Sequence, residues 1–279
     1  MTPSVAATLL GLASAVSWGA GDFTGGLASK RSPVLGVLAL GQAAGVTLIV
    51  ATALLLREVS PAPATLAWST AAGASGAVGL AALYRALGEG RMAVVAPVSA
   101  VLSASIPVAW SALAEGMPPG SKLAGFVLAL AGIWLIARAG PPGAGREGLA
   151  LALVAGCGFG AYLVLMDRGA QGGTFWPLAA ARGTSLVIAL VVAAARRRRW
   201  APARPAAPLI LLSGVLDAGG NVFFVLATQA GRLDVAAVLS SMYPASTVAL
   251  AAGVLRERVT RPQSAGILAV LGAIALIAG

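Results

Sequence analysis

The sequence predicts an all-α integral membrane protein, with ten transmembrane helices arranged as two inverted five-helix repeats. Three observations carry that prediction. Of the 279 residues, 58% are hydrophobic and only 10% are charged, whereas soluble domains carry about 25% charged residues. Uncharged apolar stretches of about 20 residues recur along the chain, the length a helix needs to cross ~30 Å of hydrocarbon. The two halves of the chain also echo one another at a constant offset.

The spans fall near 4–27, 34–56, 64–87, 92–114 and 122–139, then 148–167, 174–195, 206–229, 233–255 and 263–279. Residues 1–140 form the first repeat, 141–147 a Pro/Gly linker and 148–279 the second repeat. The first span lacks a basic leader and an A-x-A cleavage signal, so it reads as a retained helix. Ala, Gly, Leu and Val dominate throughout, which suits thin helices in close contact. Cys157, the single cysteine, lies within the sixth span and can form no intrachain disulfide. The sequence holds no histidine, which excludes a His-based metal site or proton relay.

Internal repetition sets the topology. "GRMAVVAPVSAVLSAS" from Gly90 matches "GRLDVAAVLSSMYPAS" from Gly231, and "AGFVLALAGIWLIA" from Ala124 matches "AGILAVLGAIALIA" from Ala265, both 141 residues on. Around Gly19, the sixth span repeats the first at an offset of 139, aligning Gly19 with Gly158, Phe23 with Tyr162 and Asp22 with Ala161. Five is odd, so the second unit enters the membrane upside down. Such repeats typify secondary transporters, with the site near midplane between the halves.

Net charge is +10. The basic residues sit in short loops, with no basic helix or aromatic platform that would suit nucleic acid. Connections after odd-numbered spans hold thirteen Lys and Arg, and those after even-numbered spans hold four: Arg57, Lys122, Arg168 and Arg232. The bias places the odd connections in the cytoplasm of a cell inner (plasma) membrane and both termini outside.

Ionisable residues within spans cost a few kcal/mol, so they face a cavity or a partner. Four are the candidates: Asp22, Arg85, Arg182 and Asp217. Asp22 and Arg85 lie at similar depths, and Arg182 and Asp217 both lie near the midplane, so two ion pairs are conceivable. Each aspartate is either a proton-exchanging carboxyl in a poorly hydrated cavity or an ionised structural partner of an arginine. Trp18 and Phe23 flank Asp22 and are placed either to stack on a substrate or to anchor at the interface. The spacing of Gly21 and Gly25 signals helix packing. Pro97, Pro107 and Pro244 each deprive a carbonyl of its donor, making the fourth and ninth spans the expected broken pair. Ser99, Ser103, Ser240, Ser241, Tyr243 and Pro244 are candidate lining residues there, Asn221 extends the polar face of the eighth span, and Tyr84 and Tyr162 complete the set.

The first span, "WGAGDF", resembles the W-G-x-x-x-F pattern of EamA-type members of the drug/metabolite transporter superfamily, through Trp18, Gly19 and Phe23. The ninth resembles that family's Leu-Ser-Ser-aliphatic-Tyr-Pro start and Glu-x-x-(Ser/Thr) end, through Leu239 to Pro244 and Glu257 to Thr260. The resemblance covers the whole chain and implies a secondary transporter moving small metabolites, amino-acid-like or amphipathic, by export through alternating access, with proton coupling. Organic-cation efflux or a downhill facilitator is the alternative it leaves open, and a non-transporting membrane subunit is a more distant one. Members of this group commonly keep both termini in the cytoplasm, the reverse of the charge bias here. No P-loop or nucleotide domain is present, so ATP is not the direct motor, and no paired-carboxylate, H-E-x-x-H or serine-base constellation indicates an enzyme. The expected partners are a small-molecule substrate, protons and membrane lipid, without cofactor, metal or nucleic acid. The sequence does not choose an oligomeric state.

Overall fold

The computed structural model describes residues 3–29, 31–88, 92–137, 146–195, 201–254 and 260–278, without the side chains at 83–98 and of Pro244 among others. The described residues form eleven α-helices. In order they are α1 (Pro3–Ser29), α2 (Val34–Leu55), α3 (Pro63–Gly88), α4 (Met92–Ala114), α5 (Gly120–Ala137), α6 (Arg146–Gly169), α7 (Phe175–Ala195), α8 (Ala207–Ala230), α9 (Leu233–Ser240), α10 (Tyr243–Val254) and α11 (Arg261–Ala278). Six described segments are long and apolar enough to cross a membrane, and α4 and α5 contribute shorter apolar stretches. The protein is a membrane-embedded helical bundle. The linker at 141–147 lies almost wholly outside the described residues.

Lipid tails are as apolar as leucine, so helices associate through close packing and interhelical hydrogen bonds rather than through a hydrophobic drive. The seam between α1 and α8 uses both. Ser14 Oγ donates to the Gly220 carbonyl at 2.8 Å, Ser17 Oγ to that of Leu216 at 2.6 Å, and Ser213 Oγ returns a bond to that of Gly21 at 2.8 Å. A Cβ at Gly21 would lie 3.2 Å from the Asp217 amide nitrogen, and one at Gly25 would meet Ser213 Oγ at 2.7 Å. The small-residue spacing thus marks packing.

Helix α6 packs on α3 and α4, and α1 packs on α8, α9 and α10. Individual contacts recur with residue numbers shifted by 141. Trp18 lies where a Cβ at Gly220 would clash, and Phe159 lies in the same way against Gly79; Gly21 meets Asp217, and Tyr162 meets Gly76. This corrects the offset of 139 for the first and sixth spans. At the shift of 141, Gly160 rather than Gly158 is the counterpart of Gly19, Phe159 that of Trp18 and Leu163 rather than Ala161 that of Asp22. Glycines in both segments had masked a two-residue slip.

The ninth span is broken and the fourth is not. Residues 241–242 form a turn between α9 and α10, and the Ser241 and Met242 amides donate back to the carbonyls of Ala237 and Leu239. The turn seats on α1, where a Cβ at Gly19 would come within 2.7 Å of the Tyr243 carbonyl oxygen. Helix α4, by contrast, runs continuously through Pro97 and Pro107. Its Leu102 and Ile106 press on Gly156 and Gly160 of α6 along this continuous stretch.

One junction was not anticipated. Helix α2 ends in a Schellman arrangement, with the amides of Arg57 and Glu58 bonded to the carbonyls of Leu54 and Ala53 and Arg57 at φ +52°, the left-handed conformation such an ending requires. That turn aims Glu58 at the start of α7. Its carboxylate accepts from the Thr174, Phe175 and Trp176 amides at 2.6, 2.8 and 2.8 Å, and its carbonyl accepts from Trp176 Nε1 at 2.8 Å. These are donors that a helix start leaves unpaired. Replacing Glu58 by alanine is expected to cost about 1–2 kcal/mol, as for loss of an N-cap, measurable as a lower unfolding midpoint in detergent.

Candidate functional site

The α1–α8 seam carries the Asp22 carboxyl to the junction of α1, α8 and α10. Asp22 is exposed there, no cation pairs with it among the described residues, and it lies near enough to Asp217 and the neutral Tyr243 phenol for its charge to act on both. Asp22 and Asp217 make no direct bond to each other. Arg85, the sequence-predicted partner of Asp22, has its side chain outside the described residues, as do Tyr84 and Pro244.

The midplane pair does form. Arg182 Nη1 stands 2.7 Å from Asp217 Oδ2, with the arginine side chain 5% exposed and the aspartate 43%. The guanidinium fits because α2 presents Gly45, where a Cβ would lie only 2.6 Å from Nη2. Gly45 was missed in the sequence, although its spacing from Gly41 repeats that of Gly21 and Gly25. Arg182 Nε and Gln42 Oε1, one turn from Gly45 on α2, are both buried without a hydrogen-bond partner.

A polar chain extends from this pair. Asn221 Nδ2 donates to the Asp217 carbonyl at 2.7 Å, and Tyr162 Oη donates to Asn221 Oδ1. Tyr162 also lies within range of the charges of Arg182 and Asp217. Five helices therefore contribute to one cluster: α1, α6, α7, α8 and α10.

Other candidates go elsewhere. Trp18 is half-buried and stacks on Phe224, with centroids 6.0 Å apart and planes at 28°, so it belongs to the seam rather than to an interface belt. Phe23 is half-buried near the end of α1. Ser103 Oγ bonds its own helix at Ala100, Ser240 Oγ reaches the Gly11 carbonyl at 3.4 Å, and Ser99 and Ser241 are buried. Buried hydroxyls are satisfied by neighbouring carbonyls.

Helices lipid-exposed outside and charged within define the class: a polytopic membrane protein with its ionisable residues gathered between helices. The comparisons narrow it. Residues 146–279 match the EamA-like transporter family, so the second half of the chain carries an EamA-like transporter domain of the drug/metabolite transporter superfamily, a family of transporters and not of enzymes. Among solved structures, a crystal structure of a protein 20% identical aligns with a TM-score of 0.79 over 97% of this chain and 95% of the other; at that identity the likeness concerns the fold alone. No curated protein matches.

The unequal exposure of the ion pair predicts unequal mutants. Asp217→Asn strands a buried guanidinium and is expected to cost about 3–5 kcal/mol, the range for a broken buried pair. Arg182→Gln leaves a carboxylate that water reaches and costs less. Unfolding midpoints of the two variants, measured in detergent, check the order.

Proposed function

We propose that the protein is a secondary transporter that exports small metabolites, amino-acid-like or amphipathic, by alternating access of two inverted five-helix repeats, coupled to protons at Asp22. The repeated contacts at a constant shift support the inverted-repeat reading, since they pair α1 with α8 as α6 pairs with α3. The observation that carries the coupling is the difference between the two aspartates. Asp217 is paired with Arg182, whereas Asp22 is accessible and has no cation partner among the described residues. A carboxyl in that setting gains most from taking up a proton or a cationic group. Trp18, Phe23, Tyr162, Asn221 and Tyr243 frame the same space, with Tyr84, Arg85, Ser99, Ser103, Ser240, Ser241 and Pro244 as the remaining proposed lining. The loop charges support a multi-pass inner (plasma) membrane protein with its termini outside.

Organic-cation efflux is the second reading, favoured by two carboxylates set against one guanidinium among the described residues. Purified protein in liposomes loaded with a pH-sensitive dye separates the readings. Pools of amino acids, sugars and organic cations are added to wild type and Asp22→Asn. Substrate-dependent proton movement that falls at least tenfold in the variant is the expected result, and the active pool identifies the substrate class. Unchanged movement in Asp22→Asn would remove Asp22 from coupling.

A further inference from the structure

Arg232, on the loop entering α9, ties the two halves together at the membrane face remote from Asp22. Its Nη2 donates to the Gly116 carbonyl at 2.8 Å and to Ser111 Oγ at 3.4 Å, and its Nη1 donates to the Glu115 carbonyl at 3.3 Å. The Glu115 carboxylate is 3.8 Å away. The guanidinium is itself held by Asp234, fully buried at the start of α9, at 2.9 Å, and Asp234 also accepts from the Val235 amide at 2.7 Å. A cation thus meets the carbonyl end of α4, where the helix dipole favours positive charge. The arginine side chain remains 29% exposed, so water can replace its partners.

Beside this cluster lies a cavity of ≈ 320 Å³, half open to the surface and walled by Trp110 and Glu115 from the first half and by Asp167, Arg168, Thr228 and Leu233 from the second. Arg168 lies over the Trp110 ring at 5.5 Å and adds a second cross-half contact. Asp217 stands thirteen residues before the end of α8, about 20 Å along the helix from that face. Access to Asp22 and Asp217 is therefore separated from this cavity along the α1–α8 direction.

We infer that Arg232 is the latch of a gate. It holds α4 against α9, closing this face while the carboxylates stay accessible, and its release from Ser111, Glu115 and Gly116 frees the end of α4 to part from α9. The inference rests on the alternating-access reading above. Helix α4 packs chiefly on α6 and α9 chiefly on α1, and α4 and α9 also pack on each other, so the latch spans a direct contact between the two sides.

Spin labels at Met117→Cys and Val5→Cys test it in a Cys157→Ser background, in lipid nanodiscs. Both positions are exposed and lie on opposite sides of the latch, at the end of α4 and the start of α1. Electron–electron resonance on the latched protein is expected to give one short distance. Arg232→Ala adds a longer component, and Arg232→Lys adds the same component at a smaller fraction, because an ammonium cannot reproduce the guanidinium fork. Arg232→Lys guards against misfolding of the alanine variant. A distribution unchanged in folded Arg232→Lys or Arg232→Ala overturns the latch. The measurement needs no substrate, so absent flux in liposomes counts against the transport reading and leaves the latch result standing.

Discussion

The close approach of α1 and α8 is the constraint on which the rest of the molecule depends. Serine-to-carbonyl bonds cross the seam in both directions, and Gly21 lets the α1 backbone come up against the Asp217 amide. In hydrocarbon, such bonds form because the alternative is an unsatisfied polar group. The consequence reaches well beyond packing. A bulkier α1 would move Asp22 away from Asp217 and lift Tyr243 off its seat at Gly19. The broken ninth span and the charged cluster thus share a support made of residues with almost no side chain.

Within that support the charges are arranged unequally. Arg182 is enclosed by α2 and spends its charge on Asp217, and this fixes the orientation of α7 against α8. Asp22 has no such partner among the described residues and is left open. A site with one settled carboxylate and one unsettled carboxylate keeps its geometry whichever protonation state the second adopts. The Glu58 junction plays a similar part at the end of α7. It anchors the helix carrying Arg182 to the helix carrying Gly45, so the guanidinium and the glycine beneath it are positioned from both ends.

Much of this was legible in the sequence, for reasons that can be named. Hydropathy identifies spans because lipid leaves few alternatives to a helix, and Arg182 and Asp217 were recognisable as a pair because both sit near midspan. Repetition was visible where large residues mark the register and failed where they do not, so the glycines around Gly19 and Gly158 concealed a slip of two. Proline predicted a break in α9 and α10 and wrongly predicted one in α4. A missing hydrogen bond permits a break and does not compel one. The seam serines, Gly45 and Glu58 were missed because each acts on a backbone group far away in the chain, and no local pattern records that partner.

The contact at Gly21 and Asp217 has a counterpart at Tyr162 and Gly76, with bulk and void exchanged between the two sides. The first half supplies the small residue at both contacts, Gly21 and Gly76, and the second half supplies the larger one, Asp217 and Tyr162. Two copies of the first half would set glycine against glycine and leave a hole, while two copies of the second would drive a tyrosine into an aspartate. The two contacts are therefore complementary rather than self-complementary, so a change of size at either one requires a matching change in its partner across the bundle.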